Sequence, residues 1–145
     1  MLNTTIVIDD SESDRYLARR VLNKAGVAQR ILEFSDAFTA LRLLSDHTAF
    51  EQQCGPCPPR AVLLVDINMP RMSGFEFLEA LEHCIQAGEV LDGVLAVVMY
   101  STSDDQTDID RALSHGLVMD YVVKPITLES AARIAQVAGS FDGGA

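Results

Sequence analysis

Hydrophobic residues along this chain alternate between short apolar runs and longer amphipathic stripes. The short runs are rich in Val, Ile and Leu and indicate strands, whereas apolar residues that recur every three or four positions indicate helices. The predicted strands are Thr4–Ile8, Arg30–Phe34, Ala61–Val65, Val94–Tyr100 and Tyr121–Val123. The helical stripes that follow them are Leu17, Val21 and Ala25; Ala37, Ala40, Leu41 and Leu44; Leu78, Leu81 and Ile85; Ile109, Ala112 and Leu113; and Leu128, Ala131, Ala132, Ala135 and Ala138.

This repeated order of strand and helix predicts an α/β fold with a parallel sheet. Right-handed crossovers place helices on both faces of such a sheet. The run Ala61–Val65 is apolar throughout, which is typical of a central strand covered on both sides. We therefore expect one domain over residues 1–145, with a core over about 4–138 and a short flexible tail over 139–145. The stretch Asp46–Arg60 contains three prolines and is predicted to be a long loop.

Polar residues stand where four of the predicted strands end. In chain order they are Asp9 and Asp10, Asp66, Ser101 and Thr102, and Lys124. Each alone is an ordinary strand end, but the carboxyl ends of parallel strands meet at one edge of the sheet, where ligands bind. One lysine cannot balance three carboxylates, and buried like charges are costly unless they are neutralised. All-oxygen ligands suit Mg²⁺, so the sequence predicts a magnesium site at this edge.

This ordered set of strand-end residues resembles the receiver domain of two-component response regulators, from Thr4 to about Ala138. The resemblance implies a doubly wound, flavodoxin-like (CheY-like) (βα)5 fold with strand order 2-1-3-4-5. It also implies that the chain is a phosphoacceptor in a phosphorelay and not an enzyme, apart from catalysing its own phosphorylation and dephosphorylation. Asp66 would accept the phosphoryl group. Mg²⁺ would be held by Asp10, by Asp66, by the backbone carbonyl of Asn68, and by Asp9 through water.

The resemblance assigns further roles to the ends of the last two strands. Ser101 and Thr102 occupy the switch region, Lys124 binds the phosphoryl group, and Tyr121 is the switch aromatic. The bond before Pro125 is expected to be cis, since only X–Pro bonds reach that geometry cheaply. The Ser101 hydroxyl could reach a phosphoryl oxygen if its strand end moves toward the acceptor, and Tyr121 would turn into the space that is vacated. Thr102 is β-branched where the family commonly has Ala or Gly, and it could narrow access to the phosphoryl group.

Composition and charge limit the partners of the protein. The chain has 21 acidic and 11 basic residues and a net charge of −10, so it lacks the basic footprint of a nucleic-acid-binding protein. No apolar run approaches the roughly 20 residues that span a bilayer, and residues 1–8 do not resemble a signal peptide. We therefore expect a cytoplasmic signalling protein of the bacterial type that binds neither nucleic acid nor membrane.

Two other functions compete with this interpretation. Cys54-Gly55-Pro56-Cys57 matches the thioredoxin active-site motif, but a redox thiol of this kind needs a helix N-terminus, and Pro58 and Pro59 leave no room for a helix after it. The other alternative is a Mg²⁺-dependent phosphatase with an aspartate nucleophile. In such enzymes a second aspartate two positions on carries protons, whereas this chain has Asn68 there, and an amide cannot do so.

The expected partners follow from the resemblance. A sensor histidine kinase or a histidine phosphotransfer protein would supply the phosphoryl group. Output would be the binding of a downstream protein by the surface formed by the helix after the fourth strand, the fifth strand and the last helix. Homodimerisation through that surface or through the last helix is a further expectation. Since the resemblance covers nearly the whole chain, a stand-alone receiver is expected.

Overall fold

The computed structural model describes residues 4–27, 30–54, 60–90 and 93–143. Within these ranges, five strands are interleaved with six helices. The strands are β1 (Thr4–Ile8), β2 (Arg30–Phe34), β3 (Ala61–Asp66), β4 (Leu95–Ser101) and β5 (Val118–Val123). The helices are α1 (Glu12–Ala25), α2 (Ala37–Leu44), α3 (His47–Cys54), α4 (Gly74–Gln86), α5 (Gln106–Leu113) and α6 (Leu128–Gly143).

The strands form one parallel sheet in the order β2-β1-β3-β4-β5. This order confirms the predicted fold class. Ile8 at the end of β1 lies beside Val65 of β3, and the next residue of β3, Asp66, lies beside Tyr100 of β4. The ends of the three central strands are therefore level with one another. Whatever side chains follow them must share one edge of the sheet.

Two apolar cores cover the two faces of the sheet. On one face α1 and α6 pack on the strands through residues such as Leu22 and Ile134, which are fully buried. The opposite face is covered by α2, α3, α4 and α5, with Phe77 and Leu81 among the buried residues. Every residue of β3 is buried, which agrees with its position at the centre of a doubly covered sheet.

The helices begin and end where local side chains satisfy their free backbone groups. The Ser11 side chain accepts the backbone N–H of Asp14 at the start of α1, and Gly26 ends that helix in the left-handed conformation at φ 67°. Ser73 and Glu76 form a reciprocal capping box at the start of α4. These caps determine where each helix starts relative to the strand end that precedes it.

The prediction of a continuous loop over Asp46–Arg60 is wrong in its first half. Residues His47–Cys54 form α3, and the Asp46 carboxylate accepts the backbone N–H of Ala49 at 3.1 Å. Phe50 and Cys54 lie one turn apart and are both buried against the core. Two apolar residues are too weak a periodic signal to detect in a sequence, because tertiary packing supplies most of the stability of so short a helix. Residues 55–59 lie outside the described ranges.

The last helix is also longer than predicted. The glycines after Ala138 suggested a flexible tail, because glycine is a poor helix former. Instead, α6 continues to Gly143. Val137 and Ala138 are buried on the sheet and fix the turn before this segment, which allows the helix to propagate. Residues 144 and 145 lie outside the described ranges.

Gly74, the first residue of α4, lies directly against the backbone that follows β3. Its N–H donates to the carbonyl of Ile67 at 2.8 Å. A Cβ atom at this position would lie 2.5 Å from the carbonyl oxygen of Asp66 and 2.9 Å from the Cα of Ile67. Because backbone atoms cannot move aside as a flexible side chain can, only glycine allows α4 to start this close to Asp66.

We expect Gly74→Ala to destabilise the protein by about 1–3 kcal/mol, the usual cost of forcing atoms into a packed site. The measurement is urea unfolding followed by circular dichroism. Gly139→Ala is the matched control, because a Cβ there meets nothing within 4 Å and the helix should gain stability. Equal stability of the Gly74→Ala variant and the wild type would show that the helix start can shift without cost.

Candidate functional site at the carboxyl edge of the sheet

Three carboxylates converge at this edge. Asp9, Asp10 and Asp66 each place a carboxylate oxygen within 4.8 Å of the others. Asp9 is fully buried, Asp66 is 5% exposed, and Asp10 faces solvent. Asp9 and Asp10 directly follow β1 and Asp66 ends β3, so the level ends of these two neighbouring strands bring the three side chains together.

Lys124 reaches the same cluster from the end of β5. Its Nζ lies 2.7 Å from Asp9 Oδ2, 2.9 Å from Asp14 Oδ2 and 3.6 Å from Asp66 Oδ1. Burial alone would lower the pKa of Lys124, but the hydrogen bonds to Asp9 and Asp14, together with the negative charges of Asp66 and Asp9, outweigh it and the pKa is raised. The lysine is therefore charged, and it is closer to Asp9 and Asp14 than to Asp66. The peptide bond between Lys124 and Pro125 is cis.

Asp66 has an unfavourable environment for a negative charge. Burial, followed by the neighbouring charge of Asp9, raises its pKa to about 6, while Lys124 and the backbone N–H of Asn68 act in the opposite direction. The N–H of Asn68 lies 3.4 Å from Asp66 Oδ1, and the Asn68 side chain is exposed. A cation placed among these carboxylates would relieve the repulsion.

Tyr100 is a member of the site that the sequence analysis missed. Its hydroxyl donates to Asp9 Oδ2, and its ring centroid lies 4.5 Å from Lys124 Nζ. Burial, and then the hydrogen bond to Asp9, raises the pKa of Tyr100 far above its usual value. The backbone N–H of Ser11 occupies the other oxygen of Asp9, Oδ1, at 2.9 Å. Both oxygens of Asp9 are thus held by protein donors.

Asp14 is a second member of the site that the sequence analysis missed. The sequence nevertheless contains a weak signal for both Tyr100 and Asp14. Asp14 lies on the first turn of α1, which begins shortly after the end of β1, and this places it near the same edge. Tyr100 interrupts a strand of aliphatic residues directly before Ser101, and a buried tyrosine hydroxyl usually has a partner. In the sequence, each has a more ordinary explanation, as a helix-start acid and as a core aromatic residue.

The end of β4 carries a second network, which surrounds Ser101. Ser101 is fully buried and its Oγ accepts the N–H of Ser103 at 3.1 Å. The carbonyl of Ser103 accepts the hydroxyl of Tyr121 at 2.9 Å, and the Ser103 hydroxyl donates to Asp108 on α5 at 2.7 Å. Thr102, which lies between Ser101 and Ser103 in the sequence, is exposed. Tyr121 is 5% exposed, so its ring already lies inside the protein in this structure.

The donor set of this edge fits a hard divalent cation. Its atoms are carboxylate oxygens from Asp9, Asp10 and Asp66, with no nitrogen or sulfur ligand among them. Mg²⁺ prefers oxygen ligands and usually takes only one or two carboxylates, keeping several waters. Asp10, exposed at the mouth of the cluster, leaves room for such waters.

The cysteine motif does not have the environment of a redox site. Cys54 is buried at the C-terminal end of α3, where the helix dipole disfavours a thiolate. Burial raises the pKa of its thiol to about 11, although Arg30 acts weakly in the opposite direction. A reactive thiol needs the reverse, a helix N-terminus and a lowered pKa. Cys57 lies outside the described residues.

Comparison with known proteins identifies the family. The family model described as the response regulator receiver domain matches residues 5–136 of this chain. The chain therefore belongs to the response regulator receiver domain family.

Individual relatives share little more than a quarter of their aligned residues with this chain. The Chemotaxis protein CheY homolog of Campylobacter jejuni is 27% identical over 122 residues, which cover 84% of this chain and 81% of the relative. The Two-component response regulator ARR2 of Arabidopsis thaliana is 28% identical over 132 residues, covering 90% of this chain but 17% of that protein. The chain thus spans only a small part of some of its curated relatives.

Solved structures show the same fold. The crystal structure of a two-component response regulator from Cytophaga hutchinsonii has a TM-score of 0.80 at 20% identity, covering 96% of this chain and 98% of the other. The Mn²⁺-bound form of the response regulator Rcp1 has a TM-score of 0.65 at 22% identity, covering 95% and 92%. Among the described residues of this chain, no helix is both long and apolar enough to cross a bilayer.

The raised pKa of Asp66 predicts that its charge costs stability in the metal-free protein. Because the pKa is higher in the folded than in the unfolded chain, this cost is fully present above about pH 6 and disappears as the pH falls toward 4. In EDTA at pH 7.5, Asp66→Asn should therefore be more stable than the wild type by about 1–2 kcal/mol, allowing for solvent screening.

Urea unfolding at pH 7.5 and at pH 4.5 measures this effect. The gain should shrink at the lower pH, where the wild-type carboxyl is itself neutral. Asp104→Asn, an exposed change of the same charge, should leave stability within a few tenths of a kcal/mol. A pH-independent gain in Asp66→Asn would point to packing and not to charge.

Proposed function

We propose that this protein is the phosphoacceptor of a two-component phosphorelay and that Asp66 carries the phosphoryl group. The observation that carries the proposal is the cluster of Asp66 with Asp9 and Asp10 within 4.8 Å, facing the Lys124 ammonium at 3.6 Å. Membership of the receiver domain family supports the same conclusion. The protein would act as a signalling acceptor and not as a turnover enzyme.

The chemistry is an in-line phosphoryl transfer. A carboxylate oxygen of Asp66 forms a bond to phosphorus while the bond from phosphorus to the donor, a histidine nitrogen of a kinase or phosphotransfer protein, breaks. Asp10, Asp66, the backbone carbonyl of Asn68 and, through water, Asp9 would hold Mg²⁺, which would supply positive charge beside the transferring oxygens. The Lys124 ammonium supplies further positive charge at the same place.

Phosphorylation would then act on the end of β4. Ser101 Oγ accepts the N–H of Ser103 and also lies within hydrogen-bonding range of the Tyr121 side chain, so its hydroxyl would have to turn to donate to a phosphoryl oxygen. Movement of this strand end would carry Ser103, and with it the contacts to Tyr121 and Asp108. The sequence predicted that Tyr121 would turn into a space vacated by the strand end. Because Tyr121 is already buried, we propose that the switch strengthens existing contacts of its side chain. Thr102, exposed beside Ser101, would limit access of water.

The surface of α5, β5 and α6 is proposed as the output surface. It exposes four large apolar side chains, which are Leu113, Met119, Val123 and Leu128. Exposed apolar residues grouped in this way are typical of protein contact sites. A downstream protein, or a second copy of the chain, would bind here. A sensor histidine kinase or phosphotransfer protein in the cytoplasm would be the donor.

Incubation with acetyl phosphate and Mg²⁺ should add one phosphoryl group, cleavable by hydroxylamine as an acyl phosphate is. Asp66→Asn should abolish the labelling, because its amide is not a nucleophile for phosphorus. Asp110→Asn, an exposed change on α5, should be labelled like the wild type. Intact-mass spectrometry is the measurement, and undiminished labelling of Asp66→Asn would overturn the assignment.

The two acidic residues after β1 should differ in their contribution to Mg²⁺ binding. The oxygens of Asp9 are held by Tyr100, Lys124 and Ser11, whereas Asp10 is exposed. Asp9→Asn should weaken Mg²⁺ binding by about tenfold, as outer-shell changes do, and Asp10→Asn should weaken it more. Isothermal titration calorimetry measures both, and equal or reversed losses would contradict the ranking.

A further inference from the structure

We propose that Asp14 is a positioning residue of this site, which acts through Lys124. It holds the ammonium in the unphosphorylated protein and competes with the phosphoryl group for it. This inference rests on the proposed function, since it concerns the same phosphoacceptor site. It adds a residue that sets how readily the site accepts an anion.

The geometry of α1 fixes Asp14 in place. The backbone N–H of Asp14 donates to the capping side chain of Ser11 at 3.3 Å, which holds the first turn of the helix over the strand ends. From there Asp14 Oδ2 lies 2.9 Å from Lys124 Nζ, whereas the nearest oxygen of Asp66 is 3.6 Å away. Lys124 thus donates hydrogen bonds to Asp9 and Asp14 and makes only a longer ion pair with Asp66.

Tyr100 fixes the other contact of the lysine. Its hydroxyl holds Asp9 Oδ2, the same oxygen that Lys124 binds, and its ring lies 4.5 Å from the ammonium. The ammonium thus occupies a preformed position between Asp9, Asp14 and the Tyr100 ring. To bind a phosphoryl group on Asp66, it must lengthen at least one of these contacts.

Of the two hydrogen bonds of the Lys124 ammonium, the one to Asp14 costs less free energy to break than the one to Asp9. The Asp9 side chain is fully buried, and removing the lysine from it would leave an unpaired charge in the interior. The Asp14 side chain is 38% exposed, so water can replace the lysine there. The motion required is a shift of Nζ away from α1 and toward Asp66.

Two opposite effects of Asp14 on ligand binding follow from its charge. It adds a negative charge beside the carboxylate cluster, which favours a cation there. It also draws the ammonium away from Asp66 and adds repulsion toward a phosphoryl group, which disfavours an anion. Removing the charge while keeping the shape should therefore weaken cation binding and strengthen anion binding.

The test is Asp14→Asn with Mg²⁺ alone and with beryllofluoride at saturating Mg²⁺ as probes, both measured by calorimetry. Beryllofluoride binds an aspartate carboxylate as an anionic mimic of a phosphoryl group. We expect Mg²⁺ affinity to fall and beryllofluoride affinity to rise, each by about three- to tenfold. A role confined to folding would weaken both affinities together, so the opposite signs distinguish positioning from structural support.

Glu12→Gln is the matched control, because Glu12 is exposed in the same first turn of α1 and the charge change is identical. Both of its affinities should stay within twofold of the wild type. The inference is overturned if Asp14→Asn matches this control or changes both affinities in the same direction. If the wild type itself takes neither acetyl phosphate nor beryllofluoride on Asp66, the proposed function fails and this inference fails with it.

Discussion

The Lys124 ammonium at the edge of the sheet is the interaction on which the site depends. It contacts Asp9, Asp14 and Asp66, and Asp10 lies beside them at the mouth of the cluster. One positive charge among these carboxylates leaves the edge under-neutralised, and burial together with the charge of Asp9 raises the pKa of Asp66. The protein tolerates the arrangement because donors from several elements share the negative charge. The remaining charge is what makes the edge suitable for a cation.

The fold creates this edge through the alignment of parallel strands. Because β1 and β3 pair in register, Asp9 and Asp66 emerge at the same level. Lys124 follows β5, and the peptide bond after it is cis. Gly74 allows α4 to begin against the carbonyl of Asp66, which packs the loop after β3 tightly. The apolar layers on both faces make the strand ends rigid, so these side chains converge without a flexible loop to position them.

The sequence predicted those parts of the structure that depend on strong, repeated signals. The central strands could be predicted because doubly covered parallel strands are apolar, and the strand-end polar residues followed from topology. The edge strand β5 begins at Val118, three residues before its predicted start, because Asp120 interrupts the apolar run. Helix α3 could not be predicted, because its buried apolar face consists of Phe50 and Cys54 and tertiary packing stabilises the helix. Tyr100 and Asp14 could not be assigned to the site, because their roles depend on distances between β1, α1, β4 and β5 that only the folded chain defines.

A backbone hydrogen bond joins the two networks of the edge. The N–H of Lys124 donates to the carbonyl of Ser101 at 2.7 Å, so the residue that neutralises the cluster is tied to the strand end that carries the hydroxyl. A displacement of Ser101 toward Asp66 would pull on the backbone of Lys124 in the same step. Beyond Ser101, Ser103 links the strand end to Tyr121 and to α5. The residue that neutralises the carboxylates and the strand end that contacts Tyr121 and α5 are therefore connected through the backbone, and the proposed switch would use this connection.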